Sequence, residues 1–213
     1  MSTGAGRLRY SASISLDGFV AGPDQSREHP LGVGGEQLHV WVRELAVWRR
    51  EHGEDGGVEN ASSGVYTRGG EGIGAVIMGR NMFGGGPGPW PDPPWNGWWG
   101  DEPPFHLPVF VLTHHERPPL ELRGTTFTFV TGGAGEALAL AREAAAGKDV
   151  ALAGGAGVAR QYLGAGLVDE LQLHVVPVLL GDGVRLFDGG LAVALEQVEA
   201  VEAPGVTHLT YRF

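Results

Sequence analysis

The chain has 213 residues, 42% apolar and 19% charged, enough to fill the core of one domain over residues 1–213 and too little charge for a disordered chain. Its net charge of −10 repels phosphate backbones and anionic lipid surfaces, so neither nucleic acid nor a membrane is an expected partner. It has no cysteine, which excludes disulfides, a thiolate nucleophile and cysteine-held metal centres, and no apolar run reaches the ~18 residues of a membrane span; a cytoplasmic protein with no metal is expected.

Leu8 to Ile14 alternates apolar and polar residues and runs into the turn-like Ser15-Leu16-Asp17-Gly18, which predicts a strand ending in a loop. Over residues 36 to 50, Leu38, Trp41, Val42, Leu45 and Trp48 recur at spacings of three and four, with Glu36, His39, Arg43, Glu44 and Arg49 opposite, which predicts one amphipathic helix. A short helix follows near Ala61 to Arg68. Ala75-Val76-Ile77-Met78, stopped by Gly79, reads as a fully buried strand.

Residues 84 to 104 are dominated by glycine and proline, so they form neither a helix nor a central strand. Four of the six tryptophans lie there: Trp90, Trp95, Trp98 and Trp99. Two readings stand side by side: a proline-stiffened cover over apolar surface, or an aromatic wall over a flat ligand, with Trp95, Trp98 and Trp99 beside the substrate.

Pro108 to Thr113 and Thr126 to Val130 are short apolar strands, and Ala134 to Ala146 is an alanine-rich helix. Val150 to Ala153 is a strand leading into Gly154-Gly155-Ala156-Gly157, after which Val158 to Leu163 has helical spacing. Strands alternating with helices indicate an α/β sheet that is mainly parallel. The end differs, with a strand over Glu170 to Pro177 and a hairpin of Leu191–Glu202 and Val206–Phe213 about Ala203-Pro204-Gly205, so the sheet is mixed.

A strand, a glycine pair and a helix expose backbone amides at the positive end of a helix dipole, which suits phosphate. Residues 150 to 163 have that form. The dinucleotide fingerprint G-x-G-x-x-G counted from Gly155 and Gly157 would need a small residue where Arg160 stands, so an ordinary Rossmann assignment fails, and tight strand–helix packing is the other reading of the pair.

Val76-Ile77-Met78-Gly79-Arg80-Asn81-Met82-Phe83 resembles the strand-Gly-Arg-helix signature of the dihydrofolate reductase-like superfamily, and Gly154-Gly155 resembles its pyrophosphate turn, in the same order along the chain. Val168-Asp169-Glu170-Leu171 and Gly181-Asp182-Gly183 resemble the segment that follows. Ser15-Leu16-Asp17-Gly18 is similar to the branch that contains the riboflavin biosynthesis reductase domain and its single-domain relatives. The resemblance implies a three-layer α/β fold, with a mixed, mainly parallel central sheet, flanking helices and a C-terminal antiparallel hairpin. It implies NADPH as cofactor, with Gly79, Arg80, Asn81, Thr113 and His114 at the adenosine end, Gly154, Gly155, Ala156, Gly157 and Val158 at the pyrophosphate, and Ser13 and Val20 at the carboxamide. An arginine fork is the usual partner of a 2′-phosphate, and Arg80 is placed to supply it.

At the substrate end the chain departs from its relatives. Aligning Leu38 and Trp41 with the first helix of folate reducers puts Gln37 where their acid stands, and Ala153 occupies the place of the glutamate that precedes the glycine pair in riboflavin-pathway reductases. Asp17 and Glu36 remain the candidate acids, with His39 one turn on as a substrate contact; the alternatives are an Asx turn at Asp17 and a first-turn helix charge at Glu36. The expected function is an NADPH-dependent reductase acting on a C=N or C=O bond of a small heterocyclic molecule, alongside a non-catalytic nucleotide-binding module of the same fold. The same resemblance implies a homodimer, to which the apolar stretch Leu171 to Leu180 would contribute.

Overall fold

The computed structural model describes residues 6–84, 86 and 88–213. In chain order the elements are strands β1 (Leu8–Ser15) and β2 (Phe19–Ala21), a 3₁₀ turn (Gly35–His39), helices α1 (Val40–Arg43), α2 (Ala46–Glu51) and α3 (Ala61–Gly70), strand β3 (Ile73–Gly79) and helix α4 (Arg80–Phe83). Then come β4 (Pro108–Leu112), β5 (Leu120–Leu122), β6 (Thr125–Val130), α5 (Ala134–Ala145), β7 (Asp149–Ala153) and α6 (Ala156–Gly164). The chain closes with β8 (Glu170–Val176), β9 (Val184–Arg185), β10 (Glu196–Ala203) and β11 (Val206–Arg212). Contacts divide the chain into two units, Met1–Tyr10 with Gly72–Asp169, and Ser11–Glu71 with Glu170–Phe213.

In the first unit the strand order is β1-β7-β3-β4-β6-β5. Every pair is parallel except the edge pair β5–β6. Parallel strands of one sheet need crossover connections, and α5 supplies the one from β6 to β7, across β4 and β3. Its buried face, Ala137, Leu138, Ala141 and Ala145, follows helical spacing and lies over β3 and β4. Ala75 to Met78 are buried on both faces of the sheet, as their unbroken apolar run predicts. Around Val76 and Met78 the core includes Phe83, Val109, Val111 and Phe127.

In the second unit the order is β10-β11-β8-β1, with β11 antiparallel to both of its neighbours. The predicted hairpin turns at Ala203-Pro204-Gly205, and its first strand begins at Glu196 rather than Leu191. β2 and β9 form a separate antiparallel pair that apolar patterning does not signal, since they hold three and two residues. Asn60 caps α3 by accepting the Ser62 N–H at 2.8 Å, while Ser63 Oγ accepts the Asn60 N–H at 3.2 Å. Leu38, Trp41, Leu45, Val176 and Val206 form the core of this unit.

The single helix expected over residues 36 to 50 is instead a 3₁₀ turn and two short helices. Leu45 is extended, at φ −70° and ψ 133°, because its neighbours bond to a passing segment: Ala46 N–H donates to Val58 O at 2.9 Å and Val58 N–H to Glu44 O at 2.8 Å. Gly57, at φ +98°, permits the approach, since a Cβ there would stand 2.7 Å from Ala46 N. The apolar spacing nevertheless holds, and Leu38, Trp41 and Leu45 are all buried.

The fold is therefore α/β, with nine strands when the shared β1 is counted once, mostly parallel, plus the small β2–β9 pair. No described helix is long and apolar enough to cross a membrane.

Candidate functional site

Two strand–turn–helix junctions stand side by side in the first unit. β3 and β7 are adjacent and parallel, with Met78 opposite Ala153, so Gly79-Arg80 and Gly154-Gly155 leave the sheet at the same, C-terminal, edge. Both junctions rely on missing Cβ atoms. A Cβ on Gly79 would lie 2.5 Å from Val158 Cγ2, and one on Gly154 would lie 2.4 Å from Met82 Sδ. The first residues of each helix thus lock against the glycine of the other junction. Val158 is accordingly a packing residue of this joint.

Gly154 and Gly155 have φ +55° and +80°, where side chains are disfavoured. A Cβ on Gly155 or Gly157 would meet nothing within 4 Å, which leaves open space in front of the first amides of α6. No side chain caps this helix, whose Val158 and Ala159 N–H groups both donate to Gly155 O at 3.1 Å. Tyr162 fixes the helix from behind, donating its hydroxyl to Ala134 O at 2.8 Å.

Arg80 begins α4. Its Nε donates to Gly84 O at 3.1 Å and its Nη1 to Thr113 Oγ1 at 3.4 Å, and its guanidinium carbon lies 3.2 Å from the centroid of the Trp90 ring. Burial, then the positive charge of Arg117, lowers its pKa below the usual guanidinium value. Thr113 is buried and also accepts the His115 N–H, whereas Asn81 and His114 are exposed. Arg117 donates to Trp95 O at 2.6 Å and Asn96 Oδ1 at 3.2 Å, and lies 4.7 Å from the Trp90 ring and 4.5 Å from Phe129.

The tryptophan segment is built onto the same joint. Trp95 Nε1 donates to Phe83 O at 2.8 Å and Trp98 Nε1 to Met82 O at 2.9 Å, which satisfies carbonyls that a four-residue helix leaves without partners. Trp90 Nε1 donates to His115 O at 2.9 Å, and Trp99 stacks on Phe127 with ring centroids 5.9 Å apart. Trp90, Trp95 and Trp99 pack on the core around Phe83, while Trp98 keeps 36% of its surface exposed. The segment covers apolar surface, the first of the two readings its sequence allows.

The remaining candidates lie in the second unit. Ser13 is buried and accepts the Trp41 indole N–H at 3.1 Å, and Val20 lies half-buried in β2. Asp17 accepts the Ser15 hydroxyl and the amides of Leu180 at 3.1 Å and Gly181 at 2.7 Å. The Ser15 bond is the largest cause that holds its carboxyl down to about 2, so at neutral pH it is an anion organising a turn and has no proton to give. Glu36 pairs with Arg43 at 2.6 Å on the surface. His39 is half-buried, and burial, then Arg43, lowers its pKa while Glu36 opposes them. Among the described residues no group of His, Asp and Glu could hold a metal.

Residues 7–209 match the RibD C-terminal domain family. The chain belongs to that family. No curated protein matches it. Among solved structures it is similar to a Shewanella sp. PV-4 protein named for riboflavin biosynthesis (22% identity, TM-score 0.64, 97% of this chain and 98% of that one). It is also similar to Enterococcus faecalis dihydrofolate reductase complexed with NADP(H) and RAB-propyl (15% identity, TM-score 0.55, 98% of this chain and 96% of that one). Acinetobacter baumannii RibD gives a TM-score of 0.54 at 16% identity, and the match covers all of this chain and 59% of that one. At these identities the likeness establishes the fold, which is the dihydrofolate reductase-like α/β fold.

No sequence motif singles out Arg117, and sequence marks Trp90 only by its place in the tryptophan-rich segment. Arg117 meets Trp90 across 27 positions of chain, which no local period reveals.

Proposed function

We propose that this chain is an NADPH-dependent reductase acting on a C=N or C=O bond of a small heterocyclic molecule. The observation that carries the reading is the interlocked pair of junctions, which presents Arg80 and the uncapped amides of α6 at one edge of one sheet. The residues suit the dinucleotide: open space in front of Gly155 and Gly157 admits a pyrophosphate to the helix N-terminus, and the Arg80 guanidinium, supported by Thr113, suits a 2′-phosphate. NADPH bound there would supply hydride from nicotinamide C4. The protein's part is to position it and to exclude water. With Asp17 anionic and Glu36 paired to Arg43, water is favoured over either carboxyl as the proton source.

The same engagement of both carboxylates favours a second reading, a nucleotide-binding module that has no reductase chemistry. Loss of NADPH absorbance in the presence of pterins, pyrimidines or imines separates the two. On either reading the protein binds NADPH at least about tenfold tighter than NADH, and Arg80→Ala removes most of that preference, because a hydrogen bond to a charged group contributes about 1.5–3 kcal/mol. Equal calorimetric affinities of the unaltered protein for the two cofactors would overturn the assignment.

A further inference from the structure

Arg117 is a second guanidinium at the place where Arg80 stands, and the family resemblance assigns it nothing. Both guanidiniums lie against one indole, with Arg80 3.2 Å and Arg117 4.7 Å from the Trp90 centroid. Their charges are close enough for Arg117 to depress Arg80, and the hydrogen-bond acceptors of Arg117, Trp95 O and Asn96 Oδ1, are both neutral. Among the described residues no carboxylate forms an ion pair with Arg117. Two like charges gathered against one indole, partly withdrawn from water, repel each other; a bound dianion would relieve that repulsion. Trp90 is in turn fixed by its own bond to His115 O, two residues beyond the Thr113 that receives Arg80. Indole, threonine and both guanidiniums therefore form one braced cluster.

We propose that Trp90 and Arg117 complete the anion site begun by Arg80, so that the proline- and tryptophan-rich segment selects a phosphomonoester on the adenosine ribose of the cofactor. The inference rests on the reductase reading above and goes beyond it: it gives the segment a role at the cofactor's phosphate and not at the substrate. Trp90 acts as a positioning residue that holds Arg80 flat and extended. Arg117 adds the second positive charge.

The test is calorimetric binding of NADPH, NADH and adenosine 2′,5′-bisphosphate to the intact chain and to Arg117→Gln, Arg117→Lys, Trp90→Ala and Trp90→Phe. The expected result is at least a tenfold fall in the NADPH-to-NADH affinity ratio for Arg117→Gln and for Trp90→Ala. Partial recovery is expected in Arg117→Lys, which keeps the charge, and in Trp90→Phe, which keeps the aromatic face. The binding of adenosine 2′,5′-bisphosphate should lose salt dependence in Arg117→Gln, since one cation fewer meets the phosphates. If Trp90→Ala unfolds, Arg117→Gln alone decides. An unchanged ratio in a folded Arg117→Gln protein, with the unaltered protein still preferring NADPH, overturns this inference and leaves the reductase reading in place. An unaltered protein that binds neither NADPH nor the bisphosphate overturns both.

Discussion

His174 and His208 face each other from paired positions on β8 and β11, and their Nδ1 atoms are 2.7 Å apart. Such a contact needs one N–H and one lone pair, so the pair cannot hold its geometry with both rings protonated. The outer nitrogens bond to Ser11 Oγ at 2.9 Å and Ser62 Oγ at 2.8 Å, and the Trp41 ring packs on both imidazoles. Burial is the main cause that lowers His174 to about 3, with help from His208 and His39, and lowers His208 to about 4 against the opposing pull of Glu199. A histidine whose folded pKa is depressed stabilises the fold above its unfolded pKa, near 6.5, and that stability is lost as pH falls toward the folded values. Denaturant unfolding should therefore show stability falling between pH 6.5 and 4, with a slope approaching about 2.7 kcal/mol per pH unit if both rings take up a proton on unfolding. A flat profile over that window would refute the buried neutral pair.

At the scale of elements, the joint between the β3–α4 and β7–α6 junctions makes a sharper claim than either motif alone. Gly79 has an ordinary extended backbone, at φ −85°, so alanine there is not strained by its conformation; what it meets is Val158 Cγ2 at 2.5 Å. Overpacking of this kind costs about 1–3 kcal/mol. Gly79→Ala should lower stability by that amount, and adding Val158→Ala should restore part of it, giving a double-mutant coupling of about 0.5–3 kcal/mol. Strictly additive effects in chemical denaturation would mean that the two junctions do not interlock. The helix broken at Leu45 belongs to this scale as well. Its apolar period shows only which side is buried, whereas the bonds to Val58 decide whether the backbone stays helical.

For the whole molecule the expected assembly is a homodimer. Of the apolar stretch Leu171–Leu180, Leu171 and Val176 in β8 are buried, and Leu173, Val175, Val178 and Leu180 are half-buried. What stays exposed is Leu179 (73%) just after that strand, with Leu16 (62%), whose amide bonds to Val178 O, and Phe187 (44%) in the same unit. Clustered exposed apolar side chains favour association. Sedimentation at micromolar concentration should give twice the 22.4 kDa chain mass, and Leu179→Asp should shift the distribution toward monomer. A single 22.4 kDa species for the unaltered chain would reject the dimer.

The sequence by itself determined the elements whose causes are local. The unbroken run Ala75–Met78 demands burial on both faces, the alanine-rich period over 134–145 demands a helix with one buried stripe, and glycine pairs mark turns that side chains disfavour. Arg80 and Gly154-Gly155 were legible because their motifs lie within a few residues of a predicted strand end. What only tertiary structure decided depends on partners far along the chain. The break at Leu45 comes from a segment 13 positions on, the anchoring of the Asp17 carboxylate from the amides of Leu180 and Gly181, and the seating of Trp95 and Trp98 from the α4 carbonyls they cap. Arg117 joins Arg80 only because the fold carries Trp90 to both. The physical reason is that hydrophobic period and backbone propensity act within a turn or a strand, whereas hydrogen-bond satisfaction, desolvation and charge depend on whichever group the fold places alongside.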